Sequence, residues 1–324
     1  MLAALKAGET EYALAAGRSA DLPSGGFHFV FVNHVTTNAF FTPTQSGAAD
    51  ACRLLGCSYT WTGSETSNVA EMTKAMQTAI AGKADGIAVA IIDKVAFDAP
   101  TNAAFAAGIP VVSYNADGSP TNKRLAYIGQ DLFVSGQGMG ARIVDLVGSG
   151  PVGLFIATPG TLNIQPRIDG AVAAIKASGK PITYSITATG ALIGQELTSV
   201  ESWWQGHQSV KGMFAVDQGS TQGIIQTVEK YGLRAKGVKD GGYDLPVPII
   251  QGIKNGLCDF TIDQQPYLQG FYPVIQLYLY RISGGLVGAE SMNTGIKFVT
   301  QANLAQYLKP SVYQGSSTTA YNLM

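Results

Sequence analysis

The chain has 324 residues, of which 13% are charged and 46% are apolar, and its formal net charge is −1. This composition fits a packed protein of two ordinary domains and excludes a disordered chain. It also lacks the basic footprint of a nucleic-acid binder, and no apolar run approaches the ~18 residues needed to cross a bilayer.

In chain order, residues 1–26 read as a leader and linker, with room for one helix, ending at Pro23-Ser24-Gly25-Gly26. Strand and helix signals then alternate. A β-prone run at 27–32 is followed by a helix at 45–55 and a strand at 58–62. Val69, Met72, Met76, Ala79 and Ile80 share one helical face. A buried run at 86–92 predicts the third strand. Residues 97–107 predict a helix interrupted near Pro100, and 109–114 a fourth strand. The second half repeats the pattern. Strands are predicted near 126–128, 152–157, 183–187, 212–216, 238–243, 260–262 and 296–299. Helices fall near 133–147, 168–175, 197–208, 223–231, 249–254, 267–282 and 302–308. Such alternation predicts two parallel α/β units with sheets covered on both faces.

Ligands of open parallel sheets sit beyond the carboxyl ends of the strands. Polar residues follow the apolar strands throughout: Asn33 and His34, Asn115 and Asp117, Asn163 and Gln165, Asp217 and Gln218, Asp244, then Asp263, Gln264 and Gln265. Catalytic signatures are missing. The sequence has no phosphate-binding G-x-x-x-x-G-K-[ST] loop, no H-E-x-x-H and no G-x-S-x-G. Gly136, Gly138 and Ala141 match G-x-G-x-x-A, but inside a helical stretch, where close helix packing is the better reading. Three histidines without zinc-like spacing give no expectation of a metal, and no cofactor is expected. Cys52 and Cys57 would form a local disulfide only in an oxidising compartment with suitable geometry. Cys258 reads as a buried small apolar residue, and Trp203 and Trp204 as packing.

Several segments resemble the type I periplasmic sugar-binding proteins of the ribose-binding class. These are Phe29-Val30-Phe31-Val32-Asn33-His34 with Asn38-Ala39-Phe40-Phe41, Gly108-Ile109-Pro110-Val111-Val112, Arg167-Ile168-Asp169-Gly170, Gly242-Tyr243-Asp244, Thr261-Ile262-Asp263-Gln264-Gln265-Pro266, and Asn293-Thr294-Gly295 before Lys297-Phe298-Val299-Thr300. The resemblance runs from residue 27 to about 308. It implies two Rossmann-like parallel-sheet lobes joined by a three-segment hinge. The lobes would comprise 27–129 with 265–293, and 130–264 with 294–324. It also implies export with a leader removed ahead of Met1, and delivery of a C4–C6 sugar or sugar alcohol to an ABC-type permease. Contact with a membrane would then be only through that transporter or a lipid anchor.

On the same resemblance, Phe40 and Phe41 stack on the ligand, Asn38 hydrogen-bonds it, and Arg167 grips it with a forked contact. Asp217, Asp244 and Gln264 exchange further hydrogen bonds, and His34, Asn115 and Asp117 complete the candidate set. The pattern departs from the ribose type at Ala39, where proline is usual, and at Asp217, where asparagine is common. Asn115-Ala116-Asp117 stands where an Asp-Arg pair is usual, so a second arginine is missing. His34 stands where autoinducer-2-binding relatives carry lysine, which keeps a furanosyl signal as an alternative ligand.

A plain structural role competes at each position. Asn38, Asp217 and Asp244 can cap helices, Asp117 can turn the chain before Gly118, and Gln264 can satisfy hinge backbone. A repressor-type effector domain would need a basic helix-turn-helix, and the first residues supply only Lys6 and Arg18. An α/β enzyme using strand-end Asp and His is the remaining class.

Overall fold

The protein is described from a computed structural model covering residues 26–285 and 288–308. The expected leader helix and the last residues of the expected second lobe lie outside these.

Two six-stranded sheets organise the chain. The first contains β1 (His28–Asn33), β2 (Ser58–Gly63), β3 (Gly86–Val89), β4 (Val111–Tyr114), β5 (Tyr127–Gly129) and β11 (Ser291–Asn293), ordered β11-β5-β4-β3-β1-β2. The second contains β6 (Gly150–Ile156), β7 (Ile182–Ala188), β8 (Gly212–Ala215), β9 (Lys239–Tyr243), β10 (Thr261–Asp263) and β12 (Lys297–Val299), ordered β12-β10-β9-β8-β6-β7. All pairings are parallel except β10 with β12. The helices are α1 (Thr42–Leu55), α2 (Val69–Ala81), α3 (Asp98–Ala106), α4 (Leu132–Val147), α5 (Gln165–Ala177), α6 (Ile193–Gly206), α7 (Gln218–Lys230), α8 (Val247–Lys254) and α9 (Leu268–Ser283). β3, β4 and β8 are buried along their whole length, as strands covered on both faces must be.

The chain passes between the sheets three times: after β5, after β10, and between β11 and β12. The crossings are tied together by their own hydrogen bonds. Gln130 Nε2 donates to Gly295 O at 3.0 Å, Thr294 Oγ1 to Gln264 O at 2.8 Å, and Thr294 N to Gly129 O at 2.9 Å.

Local departures from the sequence reading have simple causes. Pro100 lies in the first turn of α3 and does not interrupt it. A first-turn N–H has no intrahelical partner, so a proline there costs nothing. α1 starts three residues early, at Thr42, because Pro43 suits its first turn and a single 3₁₀ turn over Ala39–Phe41 leads into it. The tail segment Gln301–Tyr307 is 3₁₀ rather than α. Cys52 and Cys57 are free thiols whose side chains hydrogen-bond each other. Cys258 is buried, with Sγ against Phe260 O. Trp204 is buried and Trp203 lies edge-on to Phe155, so both pack within their lobe.

The glycines of the G-x-G-x-x-A match hold two helices together. A Cβ on Gly136 would lie 2.2 Å from Arg167 O, and one on Gly170 would lie 2.1 Å from Phe133 O. α4 and α5 therefore touch backbone to backbone, and this contact seats the start of α5, where Arg167 stands.

Candidate functional site

Each sheet reverses its strand order once, at β1/β3 in the first and β6/β8 in the second. The loops beyond these points face each other and enclose a cavity of about 60 Å³. Nine of the ten predicted residues line it: His34, Asn38, Phe40, Phe41, Asn115, Arg167, Asp217, Asp244 and Gln264. The lobes are closed on one another. Leu162 N donates to Ile92 O across the cleft at 2.9 Å, and Asn163 Nδ2 lies 3.5 Å from His34 Nε2.

Arg167 is the most buried charge in the cavity wall, only 1% exposed. Nη1 donates to Val216 O at 2.9 Å and Nη2 to Gln264 Oε1 at 2.8 Å. The guanidinium lies 4.2 Å over the Tyr243 ring. Nε has no partner, and no carboxylate of the described residues closes an ion pair with the group. Such burial is costly unless something else binds there.

Gln264 relays this arrangement, since its Nε2 donates to Asp244 Oδ1 at 2.7 Å. Asp244 adopts a left-handed backbone, φ 79°, which aims its carboxylate back toward the cleft loops at some conformational cost. Asp217 caps α7, accepting from Ser220 N at 2.9 Å, and its second oxygen accepts from Ala157 N at 2.8 Å. Asn38 caps the 3₁₀ turn by accepting from Phe40 N. The capping roles and the cavity roles therefore coexist in the same side chains.

His34 is buried and its pKa is lowered to about 4, chiefly by loss of water, so the ring is neutral. Gln269 fixes the orientation of the Asn115 amide by accepting from its Nδ2 at 3.1 Å. Asn115 Oδ1 is then the acceptor for His34 Nε2 at 3.1 Å, leaving Nδ1 as an acceptor without a partner. Gln269 in turn donates to Gln264 O in the second crossing, at 2.9 Å. One hydrogen-bond chain thus runs from the cavity to the hinge.

Phe41 stands edge-on to both His34 and Phe40, with ring centroids 5.3 and 4.6 Å apart, and Trp61 backs it at 5.8 Å. Trp61 supports the aromatic wall rather than lining the cavity.

Asp117 is the exception. Its carboxylate is gripped by Arg124 Nε and Nη2, both at 2.5 Å, and accepts from Ser113 Oγ at 2.7 Å and Gly118 N at 2.9 Å. It lines a separate cavity of about 300 Å³ bordered by Tyr127, Gln130 and Asn293. The local pair with Arg124, seven residues on, draws Asp117 away from the site.

Two further lining residues, Asn163 and Gln218, were visible as strand-end polar groups but were not assigned to the site. Each carries an unpaired oxygen, Asn163 Oδ1 and Gln218 Oε1. Together with His34 Nδ1 and Arg167 Nε, four unpartnered polar atoms belong to residues lining one small cavity. Each such atom costs about 1–3 kcal/mol while unpaired.

A family model described as the periplasmic binding protein domain matches residues 29–283. The chain belongs to this family. It is a binding protein and not an enzyme. The xylose/arabinose-binding protein XylF of Sulfolobus acidocaldarius is 51% identical over 303 residues, spanning 89% of this chain and 75% of that protein. An ABC transporter solute-binding protein from Burkholderia graminis, crystallised with D-arabinose, superposes with a TM-score of 0.82 at 23% identity over 89% of this chain and all of that one. A carbohydrate transporter from Acidothermus cellulolyticus in complex with myo-inositol gives 0.77 at 27% identity over 86% and 96%.

The buried carboxyls give this periplasmic binding protein a distinctive pH response. Burial pushes Asp244 and Asp240 up to about 7 and Asp263 up to about 6 from an ordinary 3.8. The native state therefore holds protons that the unfolded chain releases, and stability falls as pH rises from about 4 through 7. His34 acts the other way between about 4 and its ordinary 6.5. Three aspartates outweigh one histidine. The ligand-free protein is expected to melt at least about 4 °C higher at about pH 5.5 than at about pH 8. A flat or rising melting profile over that interval would contradict these assignments.

Proposed function

We propose that this chain is the extracytoplasmic solute-binding component of an ABC importer and that it binds a monosaccharide of pentose size, of the xylose or arabinose kind. The lobes that clamp the sugar comprise residues 27–129 with 265–293, and 130–264 with the segment after 294. The chain is exported, and the loaded closed form is handed to a membrane permease.

One observation carries the reading. Four unpartnered polar atoms belong to residues of both lobes that line one cavity, together with Phe40 and Phe41. A sugar has many hydroxyls and a weakly apolar C–H face, and it satisfies the polar atoms while lying against the rings. A neutral His34 accepts from a hydroxyl, Arg167 donates to two oxygens, and Asp217 and Asp244 accept. The name of the 51%-identical relative and the D-arabinose in a neighbouring structure support a five-carbon sugar.

The test is isothermal titration with D-xylose, L-arabinose, D-arabinose, D-ribose and myo-inositol, paired with thermal melts. At 100 times Kd a true ligand adds about 2.7 kcal/mol of stability, a rise in Tm of about 3–8 °C. A folded sample that shows neither heat nor stabilisation with any of the five would refute the proposal.

A further inference from the structure

Beside Asp217, and not among the residues that line the cavity, stands a second carboxyl. Glu196, in the first turn of α6, is 3% exposed. Its side chain hydrogen-bonds that of Asp217, and its Oε2 accepts from Ser220 Oγ at 3.1 Å. Ser220 Oγ is itself 2.7 Å from Thr189 Oγ1. Space for the group exists because residue 219 is glycine. A Cβ there would lie 2.3 Å from Glu196 Oε1. Among the described residues no lysine, arginine or histidine forms an ion pair with Glu196.

Two carboxyls in contact, with no cation bonded to either, cannot both be ionised in a buried site. One proton must remain between them. The hydrogen bonds decide which group carries it. Both Asp217 oxygens already accept backbone N–H groups, from Ser220 and Ala157, and those bonds favour the carboxylate form. Glu196 accepts the Ser220 hydroxyl and only shares the Ser220 N–H, whereas Asp217 has that N–H and the Ala157 N–H on its two oxygens. Burial and the neighbouring Asp217 charge push Glu196 well above the usual carboxylate range. The charges facing Asp217 from other elements are Arg167 on α5 and Asp244 after β9. Both line the same cavity as Asp217.

We propose that Glu196 is a positioning residue for ligand binding: it keeps its proton in the folded protein, donates it to Asp217, and so holds the Asp217 carboxylate as an oriented acceptor on the cavity wall. This inference rests on the sugar-binding reading above. Without the Glu196 proton, Asp217 either repels its neighbour or takes up the proton itself. In both cases the acceptor presented to a ligand hydroxyl is lost.

The experiment titrates D-xylose and L-arabinose into wild type, E196Q and E196A, at neutral pH and at about pH 10, where Glu196 ionises. Melts of the ligand-free proteins verify folding. E196A is expected to bind about 10-fold or more weakly, the loss of a charge-assisted hydrogen bond. In E196Q an amide N–H replaces the carboxyl O–H and restores most of that affinity. Wild type is expected to lose affinity at alkaline pH, whereas E196Q, with no proton to release, holds its affinity over the same range. E196A binding as tightly as wild type would overturn the inference. So would identical pH profiles for wild type and E196Q, a comparison that stands even where E196A does not fold. A wild type that binds neither sugar overturns the ligand reading and this inference with it, whereas a wild type that binds without these differences overturns the inference alone.

Discussion

R167M is expected to weaken sugar binding by about 100-fold or more while leaving the protein folded. The guanidinium makes two hydrogen bonds inside the protein, to Val216 O and Gln264 Oε1, and keeps Nε free. Hydrogen bonds to a charged group contribute about 1.5–3 kcal/mol each, and a forked contact to two sugar oxygens uses two of them. Removing it forfeits about 3 kcal/mol of binding, a little over 100-fold. Methionine keeps the apolar stem as far as the position of Nε and gives up the guanidinium over Tyr243. It also removes a buried cation that has no counter-ion, so the melting temperature of the ligand-free protein changes less than the binding does. R167K separates charge from shape. Lysine keeps the positive charge but loses the planar fork, and an intermediate loss of about 10-fold is expected. R167M binding within about threefold of wild type by titration would remove Arg167 from the site.

The fold was legible because parallel strands buried on both faces leave continuous apolar runs, as Phe29–Val32 and Phe214–Val216 do. The cavity was legible for a related reason. In this architecture the residue that ends such a run is delivered to the cleft, so Asn33-His34, Asp217, Asp244 and Gln264 announced themselves by position. What the sequence did not disclose depends on contacts between distant elements.

Glu196 sits in a helix first turn, where an acidic residue ordinarily faces solvent and complements the helix dipole. Only Gly219 on another helix makes its burial feasible. Gln269, which ties Asn115 to the hinge, is the second residue of α9, past the polar residues that end β10, where a helix-start side chain gives no sign of reaching the other sheet. Asp117 failed in the opposite sense. It ends a strand as the others do, but Arg124 is near enough in sequence to claim it. Position relative to a strand predicts where a side chain starts, and the competing partners decide where it goes.

The same limit applies to the glycines of α4, and it yields a prediction of large effect. G136A and G138A make one chemical change two residues apart on one helix, and they are expected to act in opposite directions. At Gly136 the added methyl would meet Arg167 O at 2.2 Å and Arg167 Cα at 2.7 Å, both backbone atoms that cannot rotate away. α5 must shift, at a cost of about 2–3 kcal/mol or more, and Arg167 moves with it. Melting should fall by at least about 5 °C, and sugar affinity should fall with it, although no residue of the cavity wall has been altered. At Gly138 the nearest atoms are the Phe298 ring carbons at 3.7 Å, an ordinary contact. There alanine brings only its better helix propensity, a gain of about 0.5–1 kcal/mol, and binding should not change. A nucleotide-binding loop would show neither pattern, since its glycines serve a phosphate and not a neighbouring helix. If G136A melts and binds as wild type does, close contact between α4 and α5 is not what places Arg167 in the site.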